Sequence, residues 1–140
     1  MPSLAESLNR VMAVEGAQAA ALIDIATGMI VQSAGTLAGA LAGTPAGAPT
    51  DQLDGDFPAA AARLADEFRA ARALAGPADA GGDLEEILLV TGGRLQVSRS
   101  LSFPFGEGLL LFVDLDRSRV NMALASLRVG QLASEVLAQP

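Results

Sequence analysis

The sequence predicts one α+β domain in which five antiparallel strands and three helices follow the order α-β-β-α-β-β-β-α. Three observations carry that expectation. The apolar pattern switches between a period near four and a period of two along the chain, the mark of helices alternating with strands. Two hairpin-like groups of strands are separated by one helical segment, which implies an antiparallel sheet with helices on its faces. The 140 residues suffice for one buried core and fall short of two.

Ser3 and Glu6 have the spacing of a capping box, so a helix is expected from Leu4, with Leu4, Leu8, Val11 and Met12 on one face and Gly16 as its stop. Ala17 to Ile25 and Met29 to Ala34 read as two strands joined by the turn Ala26-Thr27-Gly28. Thr36 to Gly55 is rich in Gly, Ala and Pro and reads as a flexible insertion within the single domain 1–140. Its glycines at 35, 39, 43 and 47 have small-xxx-small spacing, but Pro45 and Pro49 interrupt any membrane helix they could form. Asp56 is placed to cap a second helix, with Ala61, Leu64, Phe68, Ala71 and Ala75 on one face and Gly76-Pro77 at its end.

Leu84 to Thr91 contains Ile87-Leu88-Leu89-Val90, too short for a separate helix and apolar on both sides, so it is expected to be a strand covered on both faces. Gly92-Gly93 suits a type I′ turn, after which Leu95, Val97 and Leu101 alternate with Arg94, Gln96, Ser98 and Ser100 to give one wet face. Phe103-Pro104-Phe105-Gly106 connects to an apolar strand, Leu109 to Leu115. A last helix is expected from about Arg117 to Ala138, capped by Asp114 or Asp116. Its apolar stripe is wide enough to be packed deeply, running through Val120, Met122, Leu124, Leu127, Val129 and Leu132.

Composition restricts the chemistry. The chain has no Cys, His or Lys, and its nine cations are all Arg against 16 acidic residues, giving a net charge of -7. Without His or Lys there is no ordinary neutral-pH base to activate a nucleophile, and no lysine for a phosphate-binding P-loop. No cofactor is therefore expected, and no enzymatic role. An acidic chain without a clustered cationic patch is a poor ligand for nucleic acid, and no apolar run reaches the length needed to insert in a membrane. The absence of a basic, then apolar, leader points to the cytoplasm.

The acidic residues offer no convincing site. Asp51, Asp54 and Asp56 lack the spacing and closing Glu of a calcium loop, so no metal is expected. Glu85 and Glu86 are neighbours on a strand and point to opposite faces. Asp24, between Ile23 and Ile25, reads as an outward residue beside a hairpin turn. Phe103 and Phe105 suit either a partner contact or a lid on the core.

The helix leading into Val14-Glu15-Gly16-Ala17, the hairpin from Ala21 to Gly35, Glu86-Ile87-Leu88-Leu89-Val90-Thr91 and Leu109 to Leu115 before a long last helix together resemble the roadblock / dynein light chain family. The likeness spans nearly all of the chain except Thr36 to Gly55 and rests on the order of apolar patterns. It implies a profilin-like architecture with the first and last helices on one face of the sheet and the middle helix on the other. It also implies homodimers paired through the third strand and middle helix, here Leu84, Glu86, Ile87, Leu88, Leu89 and Val90 with Leu64, Phe68 and Ala71. An exposed apolar edge strand supports such pairing independently, because pairing removes both open hydrogen bonds and wet apolar surface. The resemblance further implies a partner, a small Ras-like GTPase that the chain regulates or scaffolds, with Arg63, Arg69 and Arg72 as candidate contacts. A small-molecule sensor domain of profilin-like type is the alternative.

Overall fold

In a computed structural model, residues 4–35, 57–101 and 108–137 are described. Ser3, the insertion 36–55, Asp56 and the Phe103-Pro104-Phe105-Gly106 connection lie outside them. The elements are helix α1 (Leu4–Met12), strands β1 (Ala17–Asp24) and β2 (Ile30–Gly35), helix α2 (Phe57–Ala75), strands β3 (Glu86–Val90), β4 (Arg94–Leu101) and β5 (Leu109–Asp116), and helix α3 (Met122–Leu137). Short 3-10 turns occupy Ala78–Ala80 and Arg117–Arg119. The expected α-β-β-α-β-β-β-α order and five-stranded antiparallel sheet are present, with strand order β2-β1-β5-β4-β3.

Strand alternation divides the core into two layers. Ala20 and Leu22 of β1, Leu95, Val97 and Leu101 of β4, and Leu111, Val113 and Leu115 of β5 pack with Leu8 and Val11 of α1 and with Ala125, Val129 and Leu132 of α3. Their immediate neighbours Ala19, Ala21, Ile23, Leu110 and Phe112 face the other way and pack with Ala61, Ala65 and Phe68 of α2. The first and last helices thus share one face and the middle helix takes the other. Small residues in β1 let helices approach both sides, while Phe68 and Phe112, each fully buried, supply the bulk beneath α2. Removing a side chain of that size from water contributes on the order of 1.5–3 kcal/mol.

The β1–β2 turn fixes the position of α2. Asp24 accepts hydrogen bonds from the amides of Ala26 (2.9 Å) and Thr27 (3.4 Å), and the Gly28 amide donates to the Asp24 carbonyl at 2.7 Å. Asp24 is therefore a turn former, as its place beside a hairpin suggests. Gly28 has φ +73, and a Cβ built on it would lie 2.8 Å from the Ala62 Cα, so only glycine lets the turn meet the helix this closely.

Several local expectations are corrected. Neither Asp114 nor Asp116 caps the last helix: Asp116 caps the 3-10 turn through the Ser118 amide, and Asn121 caps α3 by accepting from the amides of Ala123 and Leu124. Gly92 and Gly93 do not form a type I′ turn, since neither has a positive φ. The Thr91 amide donates to the Arg94 carbonyl, while the Thr91 carbonyl accepts from Arg117 at 2.8 Å. Helix α3 is not packed around its whole apolar arc, because Met122, Leu124 and Leu127 are exposed. The polar side of β4 is only partly wet: Ser98 is buried, in register between Ile87 and Phe112.

Gly28→Ala is expected to lower unfolding stability by roughly 1–3 kcal/mol through left-handed strain and the clash with Ala62. Urea denaturation measures this; an unchanged midpoint would show that the turn does not rest against α2.

Candidate functional site

β3 closes one side of the sheet and bonds only to β4, through pairs running from Glu86 with Arg99 to Val90 with Leu95. Its other backbone edge carries no strand among the described residues. Leu88 and Leu89 are each 46% exposed and Val90 43%, although consecutive strand residues point to opposite faces. Coverage on both sides, expected for this strand, is thus not supplied by the described residues. Ile87 and Leu84 are half-buried against the α2 layer.

Glu86 anchors the start of β3 inside the molecule. Arg99 of β4 lies 3.5 Å from one of its carboxylate oxygens, and the Ser126 hydroxyl of α3 donates to the other at 2.8 Å. Gly130 of α3 lies alongside the guanidinium, where a Cβ would sit in ordinary van der Waals contact, 3.5 Å from the Arg99 Cζ. The strand is therefore tied to α3 at one end while its apolar residues stay accessible toward the other.

On α2, Leu64 and Ala71 are half-buried, whereas Phe68 is fully buried and supports the helix from beneath. The three arginines differ. Arg72 places its guanidinium over the Phe68 ring, 5.3 Å from the centroid, a cation–π contact that holds it to the helix. Arg69 pairs with Asp66 one turn earlier. Arg63 is exposed.

Asp114 is a polar group that sequence reasoning placed wrongly. Register aligns Leu89, Gln96, Asp114 and Ala19 across four strands, so Asp114 sits on the α2 side of the sheet. It is fully buried; Gln96 donates to its Oδ1 at 3.3 Å, and its Oδ2 has no hydrogen-bond partner among the described residues. Burial pushes this carboxyl above its ordinary value of 3.8, against the opposing pull of the Arg94 charge and the Gln96 hydrogen bond. Only the register across β3, β4 and β5 reveals the position, and the one signal in the sequence was an acid inside an otherwise apolar strand.

No group of three acidic side chains able to hold a metal ion occurs among the described residues, and no described helix is long and apolar enough to cross a membrane. The surface offers contact chemistry: an open strand edge, apolar side chains on both of its faces, and arginines on the adjoining helix.

A raised carboxyl pKa means that the folded chain binds the proton more tightly than the unfolded chain, so the charged form opposes folding at neutral pH and the penalty fades as pH falls toward 3.8. Asp114→Asn is accordingly expected to gain stability relative to the native chain at about pH 7 and to lose that gain near pH 4. Thermal melts of both proteins across this window check it; a stability difference that does not change with pH contradicts the burial of a charged carboxylate.

No family model and no curated protein matches the chain. Solved structures do match. Myxococcus xanthus MglB superposes with TM-score 0.69 at 17% identity, covering 95% of this chain and 90% of its own. A Roadblock/LC7 domain from Streptomyces avermitilis gives 0.69 at 16%, covering 96% and 95%. The gliding protein MglB from Thermus thermophilus gives 0.63 at 25%, covering 95% and 84%. The similarity extends over most of each chain. In architecture, this chain is a roadblock-type domain.

Proposed function

We propose that this chain is a non-catalytic homodimeric regulator or scaffold of a small Ras-like GTPase. The observation that carries the proposal is the β3 edge, open along its backbone and apolar on both faces, in a fold shared with MglB and roadblock domains. A second copy bonded edge to edge would satisfy the free amides and carbonyls and extend the sheet across the dyad. Leu88, Leu89 and Val90 would lose their water, with Leu84, Glu86, Ile87, Leu64, Ala71 and the buried Phe68 forming the surrounding frame.

The GTPase is assigned by likeness of fold together with the residue inventory. A chain without His or Lys has little with which to perform hydrolysis itself, yet can position a partner's catalytic groups. Arg63, exposed on α2, is the cation of the three best placed to meet an acidic or phosphate-bearing partner, whereas Arg69 is paired with Asp66 and Arg72 is engaged with Phe68. A sensor role is less well supported. It calls for an enclosed ligand cavity, while two grooves among the described residues, of about 200 Å3 beside Arg99 and Leu101 and about 310 Å3 beside Val14 and Leu124, are open to solvent.

At about 1 μM, light scattering is expected to give at least twice the 14.2 kDa chain mass, and Leu88→Asp to halve that value or unfold the protein. A 14.2 kDa native species with a harmless substitution contradicts the edge pairing. For the partner, GTP hydrolysis by small Ras-like GTPases of the same genome is measured with and without this chain, beside a pull-down in both nucleotide states. Binding in at least one state is expected; binding to none overturns the reading.

A further inference from the structure

Hydrogen-bond parity along β3 fixes how a second copy can meet it. β3 pairs with β4 in unbroken register, and the Glu85 carbonyl at one end and the Thr91 amide at the other both bond to β4. In an antiparallel ladder every second residue bonds to the same neighbour. Ile87 and Leu89 therefore also turn toward β4, while Glu86, Leu88 and Val90 present their amides and carbonyls to the open edge. In a continuous sheet, two identical edges related by a two-fold axis run antiparallel. Centred on Leu88 they pair every outward group, Leu88 with Leu88 and Glu86 with Val90. Any slip carries Glu86 or Val90 past the end of the other strand.

That register brings opposite charges together at both ends of the strand. Thr91 comes opposite Glu85 of the other copy, and the Gly92-Gly93 tip runs beside Leu84 and Asp83 of the other copy. Asp83 and Glu85 are exposed, and neither carboxylate has an ion pair or hydrogen bond among the described residues. Arg117 holds the facing corner: its amide donates to the Gly93 carbonyl at 3.1 Å, and its guanidinium donates to the Thr91 carbonyl at 2.8 Å. It is exposed and makes no ion pair among the described residues. A Cβ built on Gly92 or Gly93 would meet nothing within 4 Å, so the tip leaves room for acidic side chains to reach the guanidinium.

We propose that Arg117 of each copy meets Asp83 and Glu85 of the other, and that these two symmetric charge clusters select both the register of the β3 pair and its partner, a second copy of this chain. The inference rests on the β3 pairing proposed above. Two chains of net charge -7 repel one another, and a five-residue apolar edge by itself accepts slipped registers and foreign strands. Opposite charges at both ends disfavour each of these. A slipped register moves Arg117 away from the acids, and a foreign edge without acids at those positions leaves it without a partner.

Sedimentation of the full chain across a dilution series tests this. Arg117→Glu and Asp83→Arg/Glu85→Arg are each expected to weaken self-association roughly tenfold, because like charges then meet at both ends of the pair. Mixed one to one, the two variants are expected to recover the native affinity as a mixed pair, since every cluster again holds opposite charges. Loss of the Thr91 contact within one chain cannot produce that recovery, and an unchanged circular dichroism spectrum shows that each variant folds. Variants that associate as tightly as the native chain, or a mixture no tighter than either variant alone, overturn the charge clusters while leaving β3 pairing in place. A native chain that stays monomeric at every concentration overturns the β3 pairing itself, and this inference with it.

Discussion

β3 is apolar on two sides and hydrogen-bonded on one, and the rest of the molecule is arranged around that imbalance. A strand with polar residues on its solvent face could end a sheet without consequence. Leu88, Leu89 and Val90 cannot, because successive side chains point to opposite faces and water meets both. The protein holds this strand in place from within: Glu86 joins Arg99 and Ser126, and Arg117 reaches the Thr91 carbonyl at the hairpin. These ties fix where the edge lies without covering it.

The two helical layers then divide the remaining tasks. Beneath α2, alanines in β1 and on the helix allow close approach, and Phe68 with Phe112 fills the space left over. On the other side, α1 and α3 cover β1, β4 and β5 with aliphatic side chains, and the Arg10–Glu135 pair between them is exposed and contributes little. Asp114 interrupts the α2 layer with a carboxyl that is only half satisfied. In our reading that penalty is tolerated near the row leading to Leu89, in the part of the sheet assigned to contact with another molecule.

Much of this was legible in the sequence, because periodicity and turn chemistry act locally. The helix after Ser3, the Asp24 turn, the apolar pair β3 and β5 and the alternation in β4 could all be placed within a few residues. What could not be read depended on neighbours distant in sequence. Gly92-Gly93 departs from the expected turn in a hairpin whose Thr91 carbonyl is held by Arg117, which lies 26 positions away. The last helix starts late because a 3-10 turn, capped by Asp116, intervenes before Asn121. An apolar arc on α3 likewise shows what a helix can bury, but not which part its own chain reaches, so periodicity alone puts Leu124 and Leu127 in the core. Of the contact surface, the strand was visible as an unusual run, while the differing states of Arg63, Arg69 and Arg72 required the structure.

Amide hydrogen exchange along β3 tests the central claim most directly, because it reports the free backbone edge itself. If two chains pair there, the β3 amides that do not bond to β4 are protected like interior strands, and that protection fades on dilution. Amides on that edge exchanging as fast as exposed loops at every concentration would contradict it.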